Sequence, residues 1–404
     1  MVVPMTDLAT YRDLIAKKAV QFTPRGLSKI PALHPQMFPH QEACTRFALE
    51  TGCAGLFLAT GLGKSLCSLE WGRAIVEHTN KPVLMLAPLA VAKQHEREAE
   101  RFGIDAKAIR EPDEVSGARV YVTNYERLPR IVDLAVFGGA ILDESSILKG
   151  FGGRTSRALI ERCQALPFRL SATATPAPND HMELGQQSEF LGVMRSMEML
   201  SRWFINDTST ASQVWRLKGH ATGPFWDWVA SWARCMTKPS DLGFDDTSHI
   251  LPELITETHV VAADLTRDAG ADKKTGQHRL FRQPETSATS IHTEKRLTSD
   301  ARSDLVAGIV AREPGEPWIV WVDTDYDADA IMARIPGAVE VRGNMPPDVK
   351  EERLMSFVNG TTRILVTKPS IAGMGLNLQH CARMAFTGLS FSFESYHQAV
   401  RRCW

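Results

Sequence analysis

The chain of 404 residues has few cysteines, almost no net charge and no long apolar run, and each shortage removes a class of protein. Its seven cysteines, at 44, 53, 67, 163, 235, 381 and 403, are odd in number, scattered and without a C-x-x-C pair. Neither a disulfide framework nor a cysteine zinc site is expected, and the thiols read as reduced and mostly packed. No apolar stretch approaches the ~20 residues of a membrane helix, and the N-terminus MVVPMTDLATYRDLIAKKAV lacks the uninterrupted apolar core of a signal peptide. The expectation is a cytoplasmic protein with no membrane partner. A formal net charge of −1 gives no global pull toward nucleic acid, so any such binding must rest on local basic patches. His34, His40, His95 and His181 stand isolated, HEREAE is not H-E-x-x-H, and no Ser-His-Asp or Cys-His constellation emerges. Repeats at solenoid spacing are also missing.

What is present is length enough for two domains with real cores, and a rhythm of short apolar runs. AGLFLA (54–59), VLMLA (83–87), RVYVT (119–123), GAILD (139–143) and FRLSA (168–172) alternate with helical segments, as in a parallel sheet with crossover helices. A second set follows: PWIVWV (317–322), AVEVRG (338–343), RILVT (363–367) and RMAFTG (383–388). Two tandem α/β domains are the economical reading. The expected organisation is a helical lead-in over 1–35, a first domain over 36–245 that includes a Trp-rich helical part at 214–236, and a second over 246–404. The Pro, Gly and Asp cluster at 239–246 marks the boundary, and ITETHVV is expected to open the second domain as a strand. Trp228 and Trp232, four apart, share a helix face, to serve either as core or as a base-stacking platform; core is the commoner use.

The segment LFLATGLGKSLCSLEW (56–71) raises a chemical question. Thr60, Gly61, Leu62, Gly63, Lys64 and Ser65 follow a strand and open a helix, as a phosphate loop does, yet Leu58 stands where the usual pattern has its first glycine. Such a loop works because backbone N–H groups freed by glycine conformations face phosphate at a helix N-terminus, while the lysine adds a mobile cation and the hydroxyl a magnesium ligand. A Gly-x-Gly-Lys turn alone does not decide between a nucleotide site and an ordinary turn. AILDESS (140–146) supplies the second requirement, Asp143 and Glu144 directly after an apolar strand. Magnesium–nucleotide chemistry needs one carboxylate for the metal's hydration shell and a group beside it to position water. Together the two motifs point to an ATPase.

With both in place, the chain resembles the Swi/Snf-type branch of helicase superfamily two, in its phage and prophage form, from about Pro39 to its last residue. That branch commonly carries G-L-G-K-[ST], so Leu58 is not disqualifying. The resemblance implies two RecA-like P-loop domains, ATP and Mg2+ as cofactors, and DNA, double-stranded, as partner. FPHQEACTRFAL resembles the Q motif, with Gln41 on the adenine edge. APLAVAKQHEREAERF resembles motif Ia, with the chain after Pro88 facing nucleic-acid phosphates, and VTNYERL resembles motif Ib, with Thr123 and Asn124 nearby. DESSILKG stands at the DEAD/DEAH box, so that Lys64, Asp143, Glu144 and an arginine would form the catalytic set, with Ser65 and Asp143 serving the metal. LSATATPAPND resembles motif III, where Ser171 and Thr173 link nucleotide site to polynucleotide track. WIVWVDTDYDADAI resembles motif IV. TKPSIAGMGLNLQ resembles motif V, with Gly373 and Gly375 near ribose or phosphate and Asn377 by the DNA backbone. HQAVRRCW resembles motif VI, where Gln398 and Arg402 match the glutamine and first catalytic arginine.

The family pattern has a second arginine three residues beyond Arg402, and the sequence stops at Trp404. The expectation is a second domain cut inside its last motif, binding ATP and hydrolysing it poorly, since an arginine finger is worth ~10³–10⁵ in rate. The resemblance implies a translocase moving along duplex DNA. Alternatives are true strand separation, a weakly active or noncatalytic nucleic-acid-binding fragment, and the motor part of a phage or restriction-modification assembly with its own protein partners. A P-loop kinase is disfavoured by the second domain and motif VI.

Overall fold

A computed structural model describes residues 22–88, 91–131, 133–149, 153–207, 214–262, 288–373 and 376–404. The chain divides into two compact units, residues 1–250 and 251–404.

The first unit is built on a parallel sheet in the order β3-β4-β2-β5-β6-β1-β9. Its strands are β1 (Cys53–Leu58), β2 (Val83–Ala87), β3 (Ala106–Ala108), β4 (Val120–Asn124), β5 (Gly139–Asp143), β6 (Phe168–Ala172) and β9 (Ala233–Met236). Alternate residues of each central strand enter opposite cores, because side chains alternate across a pleated strand. Cys53 and Phe57 of β1 and Leu84 and Leu86 of β2 pack on one face. Ala54, Leu56 and Leu58, with Val83, Met85 and Ala87, pack on the other. The second face is covered by helices Pro39–Thr51, Lys64–Thr79 and Ala92–Arg101, whose inward residues include Ala48, Leu69, Ile75 and Ala99. The first face is covered by Arg154–Cys163, Leu184–Leu191, Ser196–Trp203 and Thr222–Trp232. A small antiparallel ribbon, β7 (Phe204–Asp207) with β8 (Val214–Leu217), projects from this side of the chain.

Trp228 and Trp232 are fully buried, their rings 5.4 Å apart and edge to face, with Phe57 against Trp232. They are core, and removing either indole would cost about 3–5 kcal/mol. The Trp-rich stretch is not helical throughout: its last four residues are β9, which pairs in parallel with Gly55–Leu58. Of the expected N-terminal helical lead-in, residues 1–21 lie outside the described residues and 22–35 form no helix. There Arg25, Gly26 and Leu27 donate backbone hydrogen bonds to the carbonyls of Thr51, Glu50 and Leu49.

The second unit carries the parallel sheet β11-β12-β10-β13: β10 (Trp318–Trp321), β11 (Val339–Val341), β12 (Ile364–Thr367) and β13 (Arg383–Phe386). Helices Ser299–Ala311 and Asp325–Arg334 bury Val306, Val310, Ala328 and Ile331 against Val320, Ile364 and Val366. The carboxylate of Asp327, wholly buried, is paired with Arg302 at 3.0 Å and accepts hydroxyl hydrogen bonds from Ser299 and Thr324 at 2.6 and 2.8 Å. Both carboxylate oxygens are thereby bonded, which is what makes a buried charge tolerable. The expected strand ITETHVV does not form: residues 251–262 have no regular secondary structure, and Ile255 and Val260 are exposed. Its alternating pattern meets no neighbouring strand, and pairing is what turns such a pattern into sheet. Two α/β units with parallel sheets flanked by helices follow one another along the chain, the tandem RecA-like arrangement.

Candidate active site

The loop after β1 leaves the sheet where Ala59 N–H donates to the Met236 carbonyl at 2.9 Å. Gly61 and Gly63 take φ of 90° and 81°, the left-handed region in which side chains are strained. Gly63 is also held by space, since a Cβ there would lie 2.1 Å from Gln41 Nε2. It caps the helix that begins at Lys64. Gln41, expected on an adenine edge, donates from Nε2 to the Leu62 carbonyl at 3.2 Å and accepts from Phe38 N–H at 3.0 Å. In this structure it braces the loop. Lys64 Nζ donates to the carbonyls of Leu58 at 2.9 Å and Ala59 at 3.4 Å, folded back over the end of its own strand. Thr60 and Ser65 are half-buried beside it, and Leu62 is buried. One turn into the helix, burial pushes the Cys67 thiol up to about 12, so it is inert.

Asp143 ends β5 and Glu144 follows it; both are buried. Glu144 has φ of 53°, one of two non-glycine residues with positive φ among the described residues. A left-handed, buried carboxylate costs backbone and desolvation energy, the combination found where geometry serves chemistry. Thr173 Oγ1 donates to Glu144 Oε2 at 3.4 Å. Ser171 Oγ donates to Ser145 Oγ at 2.8 Å and bonds Gln187, whose Nε2 returns to the Ser145 carbonyl at 2.9 Å. Since β6 lies between β5 and β1, Ser171 and Thr173 stand between the carboxylates and the phosphate-type loop.

Three residues that sequence reasoning missed complete this region. His95 Nε2 lies 2.9 Å from Asp143 Oδ2, and Tyr125 Oη donates to the Asp143 carbonyl at 2.6 Å. Gln187 is the third, wholly buried. Burial alone would lower the His95 pKa, but the Asp143 charge and hydrogen bond, with Glu98 and Glu144, outweigh it and the pKa is raised. Tyr125 is pushed well above its usual value by burial and then by the two carboxylates, so it stays a phenol donor. The only available signal was polar residues on otherwise inward positions: His95 and Ala99 are the buried residues of helix Ala92–Arg101.

Other expected site residues have structural partners. Pro88 is half-buried, its carbonyl accepting from Val91 N–H at 3.2 Å. Thr123 is turned inward and donates to the Ile109 carbonyl at 3.0 Å, while Asn124 caps a 3-10 turn by accepting from Arg127 N–H at 3.1 Å. In the second unit Arg402 Nε donates to the Gly373 carbonyl at 3.0 Å. Gln398 is buried and contacts Glu394 at 3.5 Å, and Asn377 is exposed, its Oδ1 accepting from Gln379 N–H. Gly375 lies outside the described residues.

Glycine-freed amides and the Lys64 ammonium suit phosphate oxygens, and the Ser65 hydroxyl and Asp143 carboxylate suit a hard divalent cation. The residues present therefore fit a magnesium–triphosphate. Among the described residues no group of three His, Cys, Asp or Glu side chains is placed to hold a metal alone.

Comparison with known proteins finds a similarity in the second unit. Residues 301–404 match the helicase conserved C-terminal domain. This helicase match takes in β10 to β13 and the segment that holds Gly373, Gln398 and Arg402. No curated protein matches the chain. Among solved structures, the Sulfolobus solfataricus SWI2/SNF2 ATPase core in complex with dsDNA is 16% identical, over 90% of this chain and 84% of that one, with a TM-score of 0.46. The Pyrococcus furiosus Hef helicase domain is 15% identical, over 91% and 92%, with a TM-score of 0.44.

Proposed function

We propose that this chain is an ATP-driven motor that moves along duplex DNA. The observation that carries the reading is the association, in one sheet, of the Gly61–Ser65 loop after β1 with the buried Asp143–Glu144 pair after β5. The helicase C-terminal match of residues 301–404 supports it from the second unit.

In this reading the loop amides and Lys64 bind the β- and γ-phosphates, Lys64 exchanging its carbonyl partners for phosphate oxygens. Ser65 and Asp143 would hold magnesium, which would supply charge neutralisation at the phosphoryl oxygens. Glu144 aligns the water that attacks the γ-phosphorus and takes its proton on a carboxylate oxygen, as the bond from that phosphorus to the bridging oxygen breaks and ADP leaves; Thr173 steadies the Glu144 side chain. Ser171 and Thr173, bonded to Ser145 and Glu144, would pass the change to the segments around Pro88, Thr123 and Asn124. On the family resemblance, Gly373, Gly375, Asn377, Gln398 and Arg402 are assigned to nucleotide and DNA contact. DNA contact in this reading is phosphate-based, hence weakly sequence-specific. A partner protein of a phage or restriction system is compatible with a motor of this kind.

The test is ATP turnover by the purified chain with and without duplex DNA, beside Glu144→Gln. Duplex should stimulate turnover, and Glu144→Gln should lower it by ~10²–10⁴-fold. Turnover indifferent to both duplex and Glu144 would refute the proposal.

A further inference from the structure

We propose that His95 is a positioning residue for the Asp143 carboxylate, fixing the orientation in which that carboxylate meets the divalent cation; this rests on the ATPase reading above. Helix Ala92–Arg101, AKQHEREAER, is charged along most of its surface and buries only His95 and Ala99. Packing alone would be served by an apolar residue at 95, four before Ala99 on the same face. An imidazole at 1% exposure instead carries a desolvation cost that only a partner offsets. The partner is Asp143 Oδ2 at 2.9 Å.

An ionised carboxylate only accepts, so Nε2 carries the proton and the imidazole is the donor. The other nitrogen, Nδ1, is buried and makes no hydrogen bond; the nearest carboxylate oxygen, of Glu98, is 4.0 Å away. The ring is therefore held for the contact at Nε2. Tyr125 fixes the same residue by its main chain, through a 2.6 Å hydrogen bond to the Asp143 carbonyl. Two buried donors from two different elements thus hold one residue, one at the backbone and one at a carboxylate oxygen. A metal-facing carboxylate held in this way pays no reorientation cost when the cation arrives, the usual role of an outer partner of a metal ligand. Removing such a partner typically costs ~10–100-fold in metal affinity.

The experiment compares the full chain with His95→Phe, which keeps a ring and removes the donor, and His95→Gln, which restores an N–H donor. A fluorescent ADP analogue is titrated in EDTA and then against Mg2+, and Mn2+ binding to the ADP complex is followed by EPR. Expected are unchanged nucleotide affinity in EDTA, a Mg2+ half-saturation raised by about tenfold or more in His95→Phe, and substantial recovery in His95→Gln. A folded His95→Phe protein with wild-type Mg2+ and Mn2+ affinity would overturn the proposal. Should the Phe protein not fold, ¹⁵N-histidine spectra of the unaltered chain decide. A slowly exchanging imidazole N–H that disappears in Asp143→Ala supports the contact, and a freely exchanging one overturns it. Loss of Mg2+-dependent nucleotide binding in the unaltered chain itself would instead count against the ATPase reading.

Discussion

At the scale of single residues, two buried groups set measurable behaviour. His40 lies beneath Phe38, 4.8 Å from the His249 ring, and its Nε2 is buried with no hydrogen bond. Burial, and then His249, hold its pKa below 6.5, against the opposing pull of the Leu62 carbonyl. A histidine with a depressed folded-state pKa stabilises the fold fully above the unfolded value and less as pH falls through the folded one. His95, raised, works in the opposite sense and loses its contribution as pH rises. Acidification from pH 7.5 to 5.5 should therefore lower the urea midpoint less in His40→Phe than in the unaltered chain, the opposing contribution of His95 being common to both. An equal drop in both would contradict this role for His40. The second group is Glu144, whose left-handed backbone tolerates Gln better than a β-branched residue. Glu144→Val should lose about 1–3 kcal/mol more stability than Glu144→Gln in chemical denaturation.

At the scale of elements, the phosphate-type loop separates two reasons for glycine. Gly61 and Gly63 share the left-handed conformation, but a Cβ at 61 meets nothing within 4 Å, while one at 63 collides with Gln41. Gly63→Ala should weaken nucleotide binding more than Gly61→Ala, since it also displaces the side chain that braces Leu62; equal effects in a fluorescent-nucleotide titration would assign both costs to φ alone. The loop, β1, β5 and the Asp143–Glu144 pair were legible in the sequence because each motif is local: strand, glycines and lysine fall within 53–65, and strand and carboxylates within 139–144. His95, Tyr125 and Gln187 were not, because their partners are 48, 18 and 42 residues away and meet them only through the sheet order. The strand β9 was hidden for a related reason. Ala233–Met236 gains its extended form from pairing with β1, while the tryptophans before it impose a helical spacing on the pattern. ITETHVV erred the other way, alternating correctly with no strand paired to it among the described residues.

At the scale of the whole molecule, the chain is two self-contained units with separate cores. The first stretch of the second unit, residues 251–262, has no regular structure, and it exposes Leu251, Leu254, Ile255 and Val260. Thermolysin, which cuts before large apolar residues, should make its first cut among the described residues here, giving fragments near 250 and 150 residues. Early cuts within either parallel sheet would argue against the division. The larger fragment carries Lys64, Asp143 and Glu144, and retention of nucleotide binding by it is the expected result.

The edge strand β9 gives this arrangement a mechanical meaning. It runs parallel to β1, hydrogen-bonded along Gly55–Leu58, and Met236 O takes the first amide of the loop that follows. The chain leaves β9 only fourteen residues before the boundary at 250. Tension applied at that boundary along the strand axis would load the β9–β1 hydrogen bonds together, in shear, instead of opening them one by one. The strand that carries the phosphate-type loop is thus also the anchor for a pull on the chain beyond β9, which would act on the same few peptide groups that position that loop.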